Sequence, residues 1–237
     1  MLQDSSKFRL ICGAMLLALS GGWLVGVSDA AMMLTDPAPV ALSTLVDNAE
    51  ATYTVGDKEF SAFTYLATGD MPSAAGVNVA AIIDDDGNFG IRFQGAFADL
   101  ASSQGGSDAL ITYMVEALDP NKLISDAHLA GNPTLVGTTG SVSVTETFLP
   151  LGANGEYTMT IFDDESAGQK LVDWTYFDPP VRKLNVQKDI LFVATEESGT
   201  MTMSFVDQTF SQIPEATTIT LAMIGLTSLV GVVRRKR

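Results

Sequence analysis

The strongest constraint on the fold is a period of two. Ala109, Ile111, Tyr113, Val115 and Ala117 are separated by Leu110, Thr112, Met114 and Glu116. Successive side chains of an extended strand point to opposite faces, so such a segment lays one apolar face against a core. Ser141 to Thr147 alternates hydroxyl residues with Val142 and Val144. Tyr157, Met159 and Ile161 alternate with Thr158 and Thr160, and Met201, Met203 and Phe205 with Thr202 and Ser204. β-branched and aromatic residues fill these windows, as a half-buried pleated surface requires.

Turn chemistry divides the windows. Val55-Gly56-Asp57-Lys58 sits between strands at 51–55 and 59–68, and Asp86-Gly87 between strands at 79–83 and 89–97. Glycine and aspartate beside short alternating runs mark hairpins. Ala153-Asn154-Gly155 precedes the strand at Tyr157, and Glu197-Ser198-Gly199 joins strands at 190–195 and 200–210. Asp178-Pro179-Pro180 is expected to break the chain before Val181, since proline has no N–H for a ladder. A helical turn is expected only at 96–102. About ten to twelve short strands without crossover helices predict an all-β fold, a single antiparallel β-sandwich or jelly-roll-like domain.

The two ends differ from this body. Near the amino terminus, Lys7 and Arg9 precede an apolar run from Leu10 to Val27 that closes on Ser28-Asp29-Ala30. A basic start, an apolar segment and a small-x-small end define a secretory signal peptide over 1–30, with Ser28 and Ala30 as the cleavage signal. The other end reads Ile213-Pro214-Glu215-Ala216, then an apolar stretch to Val233, then Arg234, Arg235, Lys236 and Arg237. As a helix, 216–233 spans roughly 27 Å, near the thickness of a bilayer core, and the basic cluster orients it with its end in the cytoplasm.

This terminal pattern resembles the PEP-CTERM sorting signal of exported bacterial proteins, with Ala216 where the family carries a second proline and with Gly225 inside the span. The resemblance implies a sorting and anchor segment at 213–237 and an exosortase-type processing enzyme as partner, besides the secretion machinery and the inner membrane. Val206 to Gln212, Ser143 to Glu146 and Lys188 to Ile190 also resemble a body type found among such proteins. The expected destination is the cell envelope, the surface or the extracellular matrix, and family analogy links such proteins to exopolysaccharide.

Between the ends lies one domain, 31–212, with seven basic residues against 25 carboxylates, a net charge of about −18. That surface repels nucleic acid. The body has no cysteine, because the chain's one cysteine is Cys12, so disulfides, thiolate zinc sites and thiol catalysis are excluded there.

Few residues nominate chemistry. His128, the chain's one histidine, has Asp126 two residues away on the same side of an extended segment, yet no Gly-x-Ser-x-Gly turn presents a nucleophile. Asp84, Asp86 and Asn88 offer hard oxygen ligands for calcium, but Phe89 and Gly95 stand where an EF-hand needs glycine and glutamate. Asp163-Asp164-Glu165 reads as a second acidic loop. Trp174 and Tyr176 share a face of a regular strand. With Phe177 and Tyr157 they either form a sugar-stacking platform or fill the core. No cofactor is expected beyond that calcium candidate, and no catalytic constellation is nominated. The expected role is structural or adhesive, with a carbohydrate-binding module and then a secreted hydrolase as alternatives.

Overall fold

A computed structural model describes residues 31–100, 105–136, 139–152, 155–194 and 199–215. The expected cleavage residues Ser28 and Ala30, and the expected sorting residues Ala216, Gly225, Arg234, Arg235, Lys236 and Arg237, lie outside them. Among the described residues, no helix is long and apolar enough to cross a membrane.

Two antiparallel sheets enclose one core. The strands are β1 (Met32–Met33), β2 (Val40–Ala41), β3 (Thr52–Val55), β4 (Lys58–Thr68), β5 (Val77–Ile83), β6 (Phe89–Leu100), β7 (Ser107–Ala117) and β8 (Lys122–Gly131). There follow β9 (Thr134–Val136), β10 (Gly140–Gly152), β11 (Gly155–Asp164), β12 (Gly168–Lys170), β13 (Val172–Val181), β14 (Lys183–Ala194) and β15 (Thr200–Pro214). One sheet runs β1-β5-β6-β15-β8-β13, with β2 on β5 and β9 on β15; the other runs β12-β11-β10-β14-β7-β4-β3. A five-residue helix, α1 (Leu42–Val46), packs Leu42 and Leu45 into the core. The β-sandwich expectation holds.

The period of two becomes the core directly. In β7 the buried residues are Ser107, Ala109, Ile111, Tyr113, Val115 and Ala117, every second position. Where the apolar spacing slips to three, a bulge absorbs the extra residue. In β4, Phe60 and Phe63 are both buried, and Ala62 between them takes φ 54° at a register shift between Ser61 and Thr64.

The same device corrects the expected face of Phe205. Met201 and Met203 are buried, but the register shifts between Met203 and Phe205, so Val206 enters the core instead. Asn132 clasps this bulge, its Oδ1 accepting from the N–H groups of Ser204 and Phe205 at 3.0 and 3.2 Å. Phe205 is left on the outer face beneath the Arg92 guanidinium, 4.2 Å from its ring centre.

Two local expectations are overturned. Ala96 does not start a helical turn, because β6 continues to Leu100 with Phe97 and Asp99 buried, and Asp99 accepts from Ser107 Oγ at 2.7 Å. Nor do Pro179 and Pro180 end their strand. β13 is an edge, where a missing N–H costs nothing, and its register shift between Tyr176 and Val181 accommodates both prolines.

At the other extreme, β15 runs past Gln212 through Ile213 to Pro214, which pairs with Lys122. Glu215 then donates its N–H to the Asn121 carbonyl at 2.7 Å. Residues 213 to 215 are thus knitted to the sheet.

Candidate functional site

The outer face of the eight-stranded sheet is built in rows, because directly paired residues on neighbouring strands share a face. Trp174 pairs with His128 and His128 with Thr209. In the next row Tyr176 pairs with Asp126 and Asp126 with Ser211. On the other side Val172 pairs with Ala130, Ala130 with Asp207 and Asp207 with Arg92. The edge strand β13 therefore contributes aromatic side chains, and the strands inward of it contribute polar ones.

Trp174 and Tyr176 are 58% and 68% exposed. The core-filling alternative is thereby closed for both. It holds for Phe177, which is buried and packs edge-on against Phe148 and Tyr157. The strand's period of two puts Trp174 and Tyr176 on the outer face and Phe177 on the inner one, and the register shift follows only after Tyr176.

The polar side chains inward of β13 are firmly bonded. Asp126 accepts from Ser125 Oγ and from His128 Nε2, both at 2.9 Å, and from the Ser211 hydroxyl. Burial acts to raise the Asp126 pKa, but the bonds from His128, Ser211 and Ser125 outweigh it and hold the carboxyl below its ordinary range. The same bond to Asp126 raises the His128 pKa against partial burial, helped by the fields of Asp84 and Asp86. Both serines donate to the carboxylate rather than to the imidazole, so these residues do not form a nucleophile–base–acid relay.

Asp207 is 2% exposed and takes a fork from Arg92, with Nε at 2.6 Å and Nη2 at 2.7 Å. Burial pushes its pKa up, and the guanidinium restrains that shift. Nη2 also donates to the Ala31 carbonyl at 3.1 Å, which pins the start of the domain to this face.

The β5–β6 hairpin closes one side. Asp84 Oδ1 accepts from the N–H groups of Asp86 and Asn88, at 3.1 and 2.8 Å. Its Oδ2 accepts from Asn88 Nδ2 at 3.0 Å and Thr209 Oγ1 at 2.7 Å. Two of the three calcium candidates, Asp84 and Asn88, thus bond each other, and Asp84 spends all its acceptor capacity holding the turn and fastening it to β15. No group of three or more metal-ligating side chains is gathered among the described residues. Asp85 and Asp86 remain exposed beside the hairpin tip. Asp164 is likewise a turn-former, accepting from the N–H groups of Ser166 and Ala167.

Together these elements line a surface cleft of about 260 Å³, with Trp174 and Val172 on one wall, Asp84 to Asp86 on the other, and His128, Asp207 and Thr209 on its floor. The structure thus brings together Trp174, His128 and the Asp84–Asp86 turn, which are far apart in sequence. Tyr176 extends the aromatic wall along β13.

Sequence reasoning missed the contributions of Asp207, Thr209 and Arg92. It also missed a buried pair inside the sandwich, Glu146 and Lys188. For that pair a signal was present. Glu146 falls on the same period as Val142, Val144 and Phe148, and Lys188 on that of Val186, Ile190 and Phe192.

No family model and no curated protein matches the chain. Among solved structures, it is similar to TmCBM61, determined in complex with β-1,4-galactotriose, at 12% identity and a TM-score of 0.30. That alignment covers 64% of this chain and 88% of the other. It is also similar to the enzymatically active domain of tailspike protein 4 of bacteriophage CBA120, at 13% identity and a TM-score of 0.27. There the alignment covers 63% of this chain and 19% of the other. Neither likeness is close.

Proposed function

We propose that this chain is an exported cell-envelope or matrix protein whose sandwich is a glycan-binding, adhesive module. One observation carries the binding half: Trp174 stands exposed on the wall of a cleft with a polar floor, and Tyr176, likewise exposed, follows it on the same face of the edge strand. Exposing two large aromatic rings on one edge strand leaves apolar area in water, and sugar C–H faces are the natural partners for such a surface. Polar groups converging beside an apolar wall supply the hydrogen bonds that orient a sugar's hydroxyls. Exopolysaccharide is the partner class this arrangement suits.

The cleft is read as a binding site without catalysis. Asp84 and Asp207 are committed to Thr209, Asn88 and Arg92, and the exposed Asp85 and Asp86 sit together on one wall rather than facing each other across the cleft. Glycoside hydrolysis needs two carboxyl groups able to reach a substrate across the scissile bond. The acidic surface argues in the same direction as before against nucleic acid.

The export half rests on the two terminal patterns. A signal peptide delivers the domain, and the segment at 213–237 is recognised through Pro214 and Glu215 by an exosortase-type enzyme in the inner membrane. The intact mass and cell fraction of the protein in its host test this half. A body at the surface or in the medium, shortened beyond Pro214, supports it. A full-length chain held in the inner membrane reduces the segment to a plain anchor.

Binding is tested on a glycan array with the exported protein and its W174A variant. Retention by the parent and at least a tenfold loss in the variant are expected. Equal retention by both, or none by either, overturns the reading.

A further inference from the structure

Inside the sandwich, Glu146 and Lys188 face each other directly across β10 and β14, and both are fully buried. Lys188 Nζ lies 2.5 Å from Glu146 Oε1. The contact is short but poorly directed, so neither carboxylate oxygen accepts a well-aligned hydrogen bond. A third fully buried group, the Gln208 carboxamide, accepts from the same amine through Oε1 at 3.4 Å. Gln208 belongs to β15 in the opposite sheet.

We propose that Lys188 and Gln208 condense into an intramolecular isopeptide bond, with Glu146 as the proton carrier. The step balances without any co-reactant. Within the dry pair a proton passes from the Lys188 ammonium to the Glu146 carboxylate, which leaves a neutral amine. Nζ attacks Cδ of Gln208 and a C–N bond forms. Glu146 hands its proton to Nε2 and takes the second proton of Nζ; the Cδ–Nε2 bond breaks, and ammonia leaves with Glu146 still protonated. No atom is oxidised or reduced.

Burial supports each role. It lowers the Lys188 pKa and raises that of Glu146, against their mutual attraction, so both groups move toward the neutral forms the step requires. The interior also excludes the water that would compete as nucleophile. The product ties the seven-stranded sheet to the eight-stranded one through the core. In a body without cysteine, this supplies the covalent staple that a disulfide provides elsewhere.

The test is peptide mapping by tandem mass spectrometry of the full chain after expression and export. The expected result, after cleavage before aspartate, is one branched species joining the peptide that ends at Lys188 to the one that begins at Asp207, lighter than their sum by one ammonia; trypsin no longer cuts after Lys188. E146Q keeps both reactants and removes the proton carrier; it is expected to yield the two linear peptides. Linear peptides from the folded parent protein overturn the proposal, whatever the variant does. A species lighter by one water and joining Lys188 to Glu146 overturns it too. An undiminished link in E146Q removes Glu146 from the mechanism.

Discussion

Two regions of this molecule hold charged groups away from water, and they do so with opposite consequences. In the interior, Glu146 and Lys188 meet with poor hydrogen-bond geometry, and the Tyr113 hydroxyl nearby has no hydrogen-bond partner among the described residues. On the outer face, Asp126, Asp207 and Asp84 are each supplied with donors in good positions. The outer groups are bonded well enough to form a rigid floor beneath exposed aromatics. The inner groups are strained toward neutrality in a site no ligand can enter. Satisfied polar groups at a surface hold a fixed arrangement that a ligand could meet; unsatisfied ones in a core cost stability or invite a reaction.

The largest predicted effect breaks the interior region. E146A or K188A leaves one charge buried without its partner, and each is expected to cost about 3–5 kcal/mol in urea unfolding. Replacing both, as E146L with K188M, sharpens the distinction. A bare ion pair exchanged for apolar groups leaves stability unchanged or improved. If the two sheets are covalently tied, the double variant still loses about 3 kcal/mol, the loop-closure value for a link across about twenty residues. Equal stability of the double variant and the parent protein would show that no tie exists.

Next in size is the effect on binding. W174A is expected to weaken glycan retention tenfold or more while leaving the urea midpoint within about 0.5 kcal/mol, because a side chain 58% exposed contributes little to the core. L66A is the matching change on the other sheet, where Leu66 is 68% exposed on β4. It is expected to leave both retention and stability unaltered. If L66A weakens retention as much as W174A does, the contrast between the faces is lost.

The sandwich was legible because its signal is local. β7 needs only its own period to be read, and Gly56 and Gly87, both at positive φ, mark hairpin turns that the sequence shows plainly. β8 was not legible. Its inward residues are Ile124, Ala127, Leu129 and Gly131, small or unevenly spaced, and its outward ones include Asp126 and His128. The pairing shifts between Ser211 and Gln212, so no fixed period runs through it.

The cleft depends on pairings between strands distant in sequence. Asp84 meets Thr209 across 125 positions, and nothing near either residue announces the other. Phe205 and the prolines of β13 were misplaced for a related reason: a bulge, or a place at the sheet edge, is decided by the neighbouring strand. Only the two terminal patterns are purely sequential, so the expectation drawn from them needs no fold at all.

A smaller effect separates the two regions by pH. The raised His128 pKa means that its contribution is fully present below its ordinary 6.5 and is lost as pH rises through the folded value. The depressed Asp126 pKa means that its contribution is present above its ordinary 3.8 and is lost as pH falls through the folded value. The pair therefore stabilises most between those limits. The imidazole is 38% exposed, so the difference between the parent protein and H128Q should stay below about 1 kcal/mol, measured by urea midpoints across that range. A difference that instead grew above pH 8 would mean the charged histidine is not what Asp126 holds.

The smallest predicted effect concerns calcium, and it follows from how the outer face is satisfied. A cation at the β5–β6 turn would need Asp84, yet both its oxygens already accept bonds that close the turn and join it to Thr209. Binding would trade those bonds for ligation while Asp85 and Asp86 swing in from solvent. The gain must exceed the loss of several hydrogen bonds, one of them linking hairpin to sheet. Millimolar calcium or a chelator is therefore expected to leave the melting temperature and glycan retention unchanged. A calcium-dependent rise in either would mean that the turn reopens. Asp84 would then be a ligand held in reserve, and the outer face would share the interior's habit of storing unfinished chemistry.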